Sequence, residues 1–195
     1  MMNLNALKID PEFQGKIPPL TFEELNQLEA NILRDGRIIN PIIVWQGLIV
    51  DGHNRYTIAK KHPEIPFTVH ETEFANRYEA IIWICKNQLG RRNLSPEQKR
   101  YLLGKQYESE KKAEKIFHGN QYTLAKKSGG SHDDTHHSGK KTCDRIAEEN
   151  GVSRASVLRA RHYTKGVDIA DTDIPSPRKT AILFNRMTSS SENAL

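Results

Sequence analysis

The segment Asp51-Gly52-His53-Asn54-Arg55 combines the side chains and the backbone that phosphate recognition needs. An apolar run before it predicts a strand, and the residues after it predict a short helix. Glycine lets backbone amides approach an anion closely, the start of a helix adds partial positive charge, and a guanidinium can hold two oxygens. The segment therefore predicts a nucleotide or phosphate site. The alternative is that Gly52 only makes a turn and Arg55 only pairs with a surface carboxylate.

A second pattern, from Thr142 to Val157, matches the helix-turn-helix motif at the positions that its geometry constrains. Ala147 is small where two helices would cross, and Gly151 suits the turn. Val152 and Val157 are expected to fill the space between the helices. The alternative is a helical hairpin with an exposed basic face. Because the second helix of such a motif lies in the major groove, it supplies the predicted DNA-binding residues: Ser153, Arg154, Ser156, Arg159 and His162.

Two further groups of ligand-type side chains do not have the spacing of a metal site or a disulfide framework. The segment 132–137 contains three histidines and two aspartates, but it lacks thiolates and a histidine pair at fixed helical spacing. Cys85 and Cys143 offer neither a disulfide framework nor paired metal-ligand spacing. We therefore predict no metal site and two reduced thiols.

The composition is that of a folded, basic protein. The 195 residues suffice for one medium domain and a small one, and 36% of them are hydrophobic. A formal net charge of +5 favours polyanionic partners such as nucleic acid. The longest apolar stretch, residues 80–85, is far short of the ~20 residues that span a bilayer. We expect no membrane association and a cytoplasmic location.

The elements that must position both motifs can be predicted from caps and apolar spacing. A capping box at Thr21–Glu24 predicts the start of a helix, and Gly36 predicts its end. Residues 41–50 have the pattern of a hairpin. Further elements are expected at 67–70 (strand), 75–88 (helix) and 95–117 (helix). The last helix is predicted to expose a charged surface made of Glu108, Glu110, Lys111, Lys112, Glu114 and Lys115.

Composition changes along the chain predict five segments. A Ser/Gly-rich, polar stretch without apolar periodicity separates the two motifs and indicates a flexible linker. The segments are an N-terminal arm (1–16), a domain with a long C-terminal helix (17–117), a flexible linker (118–141), a helix-turn-helix (142–166) and a tail (167–195).

Three segments in this order resemble the N-terminal domain of ParB partition proteins and the wider ParB/sulfiredoxin fold. Residues 36–44 are similar to the first conserved box, residues 51–56 to the glycine–arginine box, and residues 87–96 to the third box before a long helix. The resemblance covers about residues 17–117. It implies an α+β protein: a small mixed-sheet ParB/sulfiredoxin-like domain followed by an all-α helix-turn-helix module.

The resemblance also implies a function. It suggests a ParB-like DNA-binding protein of the partition or plasmid/phage regulatory kind, associated with the nucleoid or a plasmid. Double-stranded DNA is the implied partner, CTP or ATP with Mg²⁺ is the candidate ligand, and a homodimer is a candidate assembly. The residues implied for the nucleotide pocket are Asp51, Gly52, His53, Asn54, Arg55, Asn87, Gln88 and Arg91.

Departures from the family pattern bear on activity. Asn54 stands where the Gly-x-Arg-Arg box of CTP-hydrolysing ParB proteins has its first arginine, and Asn87 and Gln88 stand where a Glu-Asn pair would hold magnesium. His53 occupies the place of the sulfiredoxin cysteine. We therefore expect binding with little hydrolysis. The alternative is a nucleotide-dependent enzyme of the same fold, such as a nuclease, an NTPase or a small-molecule kinase, in which Asp51, His53 and Arg55 perform the chemistry.

Overall fold

The computed structural model describes residues 4–91, 94–125 and 141–172, with side chains described except at residues 5, 118–125 and 170–172. The histidine-containing segment 132–137 and most of the predicted linker and tail lie outside these residues. The elements are a 3-10 helix (Leu4–Ala6), β1 (Lys8–Ile9), α1 (Pro11–Gln14), α2 (Phe22–Asp35), β2 (Ile42–Trp45), β3 (Leu48–Asp51), α3 (His53–Lys61), β4 (Val69–Glu71), α4 (Arg77–Leu89), α5 (Pro96–Ala125), α6 (Thr142–Glu149) and α7 (Arg154–Thr172).

The sheet is small and mixed, and its strand order is β1-β3-β2-β4. Strands β2 and β3 form the expected hairpin, which pairs Trp45 with Leu48. Its two turn residues, Gln46 and Gly47, have φ values of +49° and +76°, as a tight hairpin turn requires. The outer strands β1 and β4 pair in parallel with β3 and β2. The predicted α+β fold class is confirmed.

The N-terminal residues belong to this domain from Leu4 onward, which corrects the expectation of a separate arm over residues 1–16. Strand β1 completes one edge of the sheet. Phe13 on α1 is fully buried and packs among Val50, Ile81 and Ile84. The sequence prediction missed these elements because each is shorter than one heptad and so shows no periodicity.

Local signals fixed the ends of the longer helices. Thr21 and Glu24 make the reciprocal bonds of the predicted capping box on α2, and Gly36 ends that helix at φ +64°. Ser95 and Gln98 exchange the same pair of bonds at the start of α5. Helix α5 continues to Ala125, eight residues beyond its predicted end.

Alternating residues of the hairpin supply the two faces of the sheet. Ile42, Val44 and Ile49 lie in one cluster with Leu7 and Tyr56. On the opposite face, Trp45 and Val50 pack against helix α4, and Leu102 of α5 joins this second cluster. The sheet therefore has helices on both faces, and α5 connects its core with the C-terminal helices.

Helices α6 and α7 pack directly on α5. Leu103 of α5 shares a buried cluster with Ile146 of α6 and with Val157 and Ala160 of α7. Gly104 permits the closest approach, since a Cβ atom there would collide with the carbonyl oxygen of Ala160 and the hydroxyl of Thr164. Helix α7 runs to Thr172, so it includes the first six residues of the predicted tail.

Part of the charged surface predicted for α5 is an internal contact, which corrects the expectation of a solvated face. Glu110 is 4% exposed and accepts a hydrogen bond from Arg145 of α6 at 2.6 Å. Glu114 accepts one from Thr142 at 2.5 Å. Charged residues that look solvated on one helix become buried when a later helix brings complementary partners.

Among the described residues, none of the helices combines the length and the apolar character that a membrane-spanning segment needs.

Candidate functional site

An open cleft of about 690 Å³ lies between helix α2 and the turn that joins β3 to α3. The turn supplies one wall and α2 supplies the other. Six of the eight residues predicted for the pocket line this cleft, namely Asp51, Gly52, His53, Asn54, Arg55 and Arg91. The strand-to-helix turn thus gathers residues that are close in sequence and adds Arg91 from beyond α4.

Gly52 sits at the centre of the turn with φ +95°, a conformation that side-chain-bearing residues rarely adopt. It is the N-cap of α3, and no side chain caps that helix. A Cβ atom at Gly52 would lie 2.9 Å from Nη2 of Arg55 and 3.2 Å from its Nε. Glycine is therefore favoured by the backbone, and a side chain at this position would displace the guanidinium of Arg55. The first turn of α3 lacks a side-chain cap, so its amides could donate to an anion.

Two guanidinium groups converge on one carboxylate at the edge of the cleft. Nη2 of Arg55 donates to Oδ2 of Asp51 and to the carbonyl oxygen of Pro41, both at 3.0 Å. Nη2 of Arg91 donates to Oδ1 of Asp51 at 3.3 Å. Both oxygens of Asp51 are thus engaged, and the two cations outnumber the single carboxylate. This arrangement holds Arg55 in place, while Glu23 and Glu24 on the opposite wall add two carboxylates to the cleft.

His53 and Arg55 also carry buried hydrogen-bonding atoms without partners. His53 is 5% exposed, and neither Nδ1 nor Nε2 has a partner among the described residues. Nε of Arg55 is buried and unpartnered in the same sense. Burial lowers the pKa of His53, with a smaller opposing effect from Asp51. Because unpartnered buried polar atoms are costly, the N–H of the neutral His53 ring and the Nε–H of Arg55 fit a ligand oxygen, and the second ring nitrogen, an acceptor, fits a donor such as a bound water.

The opposite wall of the cleft was not predicted from the sequence. Helix α2 presents Glu23, Glu24, Gln27 and Asn31, and the apolar residues Ile17, Leu20 and Leu28 line the cleft beside them. Glu24 is engaged in the capping box, and Nε2 of Gln27 donates to Oδ1 of Asn31 at 3.0 Å. The spacing of Glu23, Gln27 and Asn31 by four residues was a usable signal for one polar helix face.

Asn87 and Gln88 do not line the cleft, contrary to the prediction. Gln88 is 1% exposed and lies on the buried stripe of α4 with Ile81, Ile84 and Cys85. Asn87 is exposed on another face of the same helix. Because α4 stays regular to Leu89, the side chains of these adjacent residues point about 100° apart, and neither is among the residues that line the cleft. In the described ranges, no group of three or more ligand-type side chains could hold a metal ion.

The second candidate surface is the start of helix α7, which follows a turn at Gly151 with φ +62°. Ser153 caps α7, since its Oγ accepts from the backbone amide of Ser156 at 3.1 Å. The hydroxyls of these two serines lie 2.9 Å apart, and Nη2 of Arg159 donates to Oγ of Ser156 at 3.2 Å. Three of the five predicted DNA-binding residues thus form one hydrogen-bonded group.

The other two residues lie apart from this group. Nε of Arg154 is 3.6 Å from Oδ1 of Asp144 on α6, and its side chain is half exposed. His162 is exposed one turn beyond Arg159. Val152 is also exposed, contrary to the expectation that it fills the space between the helices, whereas Val157 is fully buried there.

Comparison with known proteins gives a match of fold. No protein-family model matches the sequence, and no curated protein matches it. Two solved structures described as a pNOB8-like ParB N-domain are similar to the chain. The first is 21% identical, with 82% of this chain and 66% of that chain covered and a TM-score of 0.58. The second is also 21% identical, with coverage of 82% and 62% and a TM-score of 0.55.

The matched region spans just under two thirds of those two solved chains. The mixed four-stranded sheet and its surrounding helices agree with the expectation from the three sequence boxes. The chain therefore has the fold of a ParB N-terminal domain.

Proposed function

We propose that this chain is a ParB-like DNA-binding protein of the partition or plasmid/phage regulatory kind, in which α6 and α7 act as a helix-turn-helix on double-stranded DNA. The observation that carries the proposal is the exposed group of Ser153, Ser156 and Arg159 at the start of α7, the position from which such a helix contacts base edges. The net charge of +5 agrees with a polyanionic partner.

The packing beneath this surface supports the same function. Ala147 and Val157 are buried between α6 and α7, and both helices rest on Leu103 of α5. A recognition helix must be held rigidly to read a sequence, because base contacts tolerate little displacement. Arg159 has only a neutral hydroxyl as its described partner, so its guanidinium can form a bidentate contact with a base or a phosphate.

Selection of bound sequences from random DNA, followed by binding measurements with Arg159→Ala, tests this proposal. We expect the substitution to weaken binding to the selected site by about 1–3 kcal/mol and to affect random DNA less. Arg34→Ala, at an exposed arginine on α2, is the control and should change neither affinity. Failure to enrich any sequence, with no binding to random DNA at low salt, would contradict the proposal.

We further propose that the cleft binds a nucleotide, CTP or ATP, or another phosphate ligand, with little or no hydrolysis. The supporting observation is the set of unpartnered buried atoms on His53 and Arg55 beside the uncapped first turn of α3. A phosphate oxygen would accept from the donors among these atoms, Nε–H of Arg55 and the one N–H of the neutral His53 ring, and from backbone amides at a glycine turn. Residues that could hold a ligand from the same wall are Asn54 and Arg91.

Hydrolysis would require a well-held metal ion and a second cation for the transferring phosphate. The carboxylate of Asp51 is engaged by Arg55 and Arg91, so it offers no free anionic oxygen for Mg²⁺. Asn54 adds an uncharged amide where a second arginine would contribute charge. The arrangement therefore favours binding over the enzymatic alternative.

Calorimetry with CTP, ATP and their diphosphates, with and without Mg²⁺, tests the second proposal. Arg55→Lys keeps the charge but loses the forked geometry, so we expect weaker binding with little change in melting temperature. Lys60→Ala on the outer face of α3 is a matched control. Absence of binding to every nucleotide and to inorganic phosphate would overturn the proposal, and rapid Mg²⁺-dependent hydrolysis would instead support the enzymatic alternative.

A further inference from the structure

Helices α5 and α7 are joined by reciprocal contacts between cations and aromatic rings on either side of their crossing. The guanidinium carbon of Arg100 on α5 lies 5.3 Å from the ring centroid of Tyr163 on α7. On the other side, the guanidinium carbon of Arg161 on α7 lies 5.7 Å from the ring centroid of Tyr107 on α5. Both distances are within the range at which an aromatic face attracts a cation.

The contact at Tyr163 places Arg100 beside the DNA surface proposed above. Tyr163 follows Arg159 by four residues on α7, so the two side chains lie on the same side of that helix, one turn apart. Arg100 rests on the ring of Tyr163 and is therefore a cation from α5 that flanks Arg159. Arg161 lies two residues from each of them, on the opposite side of α7.

The positive charge of Arg100 is exposed and is only partly offset by Glu97, one turn earlier on α5. It is exposed, as is its neighbour Lys99, and neither forms a salt bridge within the part of the chain that the structure describes. The nearest carboxylate along the helix, that of Glu97, accepts a hydrogen bond from Oγ of Ser95 at 2.9 Å. A guanidinium whose cation–π contact uses its face still has its N–H donors available at its edges, which suits a phosphate group.

We propose that Arg100 contacts a DNA phosphate next to the groove that α7 enters, so that α5 contributes a positioning residue to the DNA interface. This inference rests on the proposed DNA-binding function. Arg100 belongs to α5 and not to the recognition helix α7. Its contact with Tyr163 places it beside the exposed face of α7, one turn beyond Arg159, and not at the N-terminal end of α7 where base contacts are expected. It therefore adds affinity for the DNA backbone and carries no sequence information.

The test is the salt dependence of DNA binding by Arg100→Ala, measured on the selected site and on random DNA with the full chain. We expect affinity to fall about tenfold on both DNAs, as for the loss of one charge-assisted contact. The slope of log K against log salt should become shallower by about 0.9, the value for one phosphate. Arg100→Lys should retain the slope because it retains the charge.

Lys112→Ala is the matched control. Lys112 is also an exposed α5 cation over a tyrosine ring, with its Nζ 5.4 Å from the centroid of Tyr78, but that ring belongs to α4. It should leave both affinity and slope unchanged. Circular dichroism and melting temperature of each variant separate loss of a contact from loss of folding.

The possible outcomes distinguish this inference from the proposed function. If the wild-type chain binds DNA and folded Arg100→Ala keeps its affinity and slope, Arg100 is not at the interface and the inference fails alone. If Arg100→Ala loses affinity only for the selected site, Arg100 reads a base and the phosphate role is wrong. If the wild-type chain binds no DNA, the proposed function fails first, and the inference fails with it.

Discussion

Two regions of the molecule differ in how their buried polar groups are hydrogen-bonded: the cleft beside α3 and the crossing of α5 with α7. In the cleft, His53 and Arg55 keep buried nitrogen atoms without partners. At the crossing, the hydroxyl of Thr164 donates to the carbonyl oxygen of Tyr101 at 2.9 Å, and Asp168 accepts from Tyr101 and Lys105. At these positions hydrogen-bonding capacity is used internally at the crossing and left open in the cleft, whereas the buried amide oxygens of Gln88 on α4 and Gln106 on α5 also lack a partner among the described residues.

The two regions also use glycine for different purposes. Gly104 has an ordinary helical backbone and is needed because another helix occupies the space of its side chain. Gly52 is needed first for its backbone, with φ +95°, and second for the guanidinium beside it. Substituting Gly104 should therefore mainly lower the free energy of unfolding, whereas substituting Gly52 should mainly impair ligand binding.

The largest effect is expected at the crossing. Gly104→Ala places a methyl group against the backbone of α7, which cannot move without displacing the whole helix. We expect the free energy of unfolding to fall by about 3 kcal/mol, the upper part of the usual range for overpacking. Gly166→Ala on α7 is the control, because nothing lies within 4 Å of its added Cβ and alanine favours helix by about 0.5–1 kcal/mol. Equal, small effects in urea unfolding would show that the helices do not approach closely.

Gly52→Ala should affect binding more than stability. The positive φ and the contact with Arg55 together should lower the free energy of unfolding by about 1–3 kcal/mol and displace the guanidinium that faces the cleft. We expect the binding of phosphate ligands to be lost. Gly47→Ala in the hairpin turn, also at positive φ, should cost similar stability and retain binding. Retained binding in folded Gly52→Ala would contradict the role assigned to the turn.

Thr164→Val tests whether the polar groups of the crossing contribute to its stability. Valine has nearly the same shape, so packing at this fully buried position is kept while the bond to the carbonyl of Tyr101 is lost. We expect a loss of about 1 kcal/mol. Ser156→Ala, at a partly exposed hydroxyl, should cost less in thermal or urea unfolding. A neutral result at Thr164 would weaken the contrast between the two regions.

The smallest effect concerns the pH dependence that His53 contributes. Burial lowers its pKa from the ordinary value of 6.5, so below that pH the unfolded chain takes up a proton that the folded chain resists. This contribution to stability is present above pH 6.5 and is lost as pH falls toward the pKa of the folded state. Urea unfolding at about pH 7.5 and about pH 5.5 should show a steeper decline for the wild type than for His53→Gln. Identical declines would indicate that His53 is not shielded from solvent.

The ends of the longer helices and the hairpin could be predicted from short stretches of sequence, and the fold class from the resemblance of three segments to ParB proteins. The capping boxes at Thr21 and Ser95, the left-handed residue Gly36 and the hairpin turn before Leu48 each depend on a few neighbouring residues, so their outcome is decided locally. The compact turn from Asp51 to Arg55 also followed from adjacent residues. Caps and tight turns can be predicted from the sequence because the residues that cause them lie within about four positions of one another.

Which helix and strand faces meet depends on contacts between residues that are far apart in the chain. The packing of α2 on α3, through Ile32, makes Gln27 and Asn31 a wall of the cleft. Asn87 and Gln88 lie on α4 and are not part of the cleft lining. The burial of Glu110 depends on Arg145, which is 35 residues away. The need for glycine at position 104 comes from a helix more than fifty residues later. These contacts join residues distant in the chain, and no local preference in either partner encodes them.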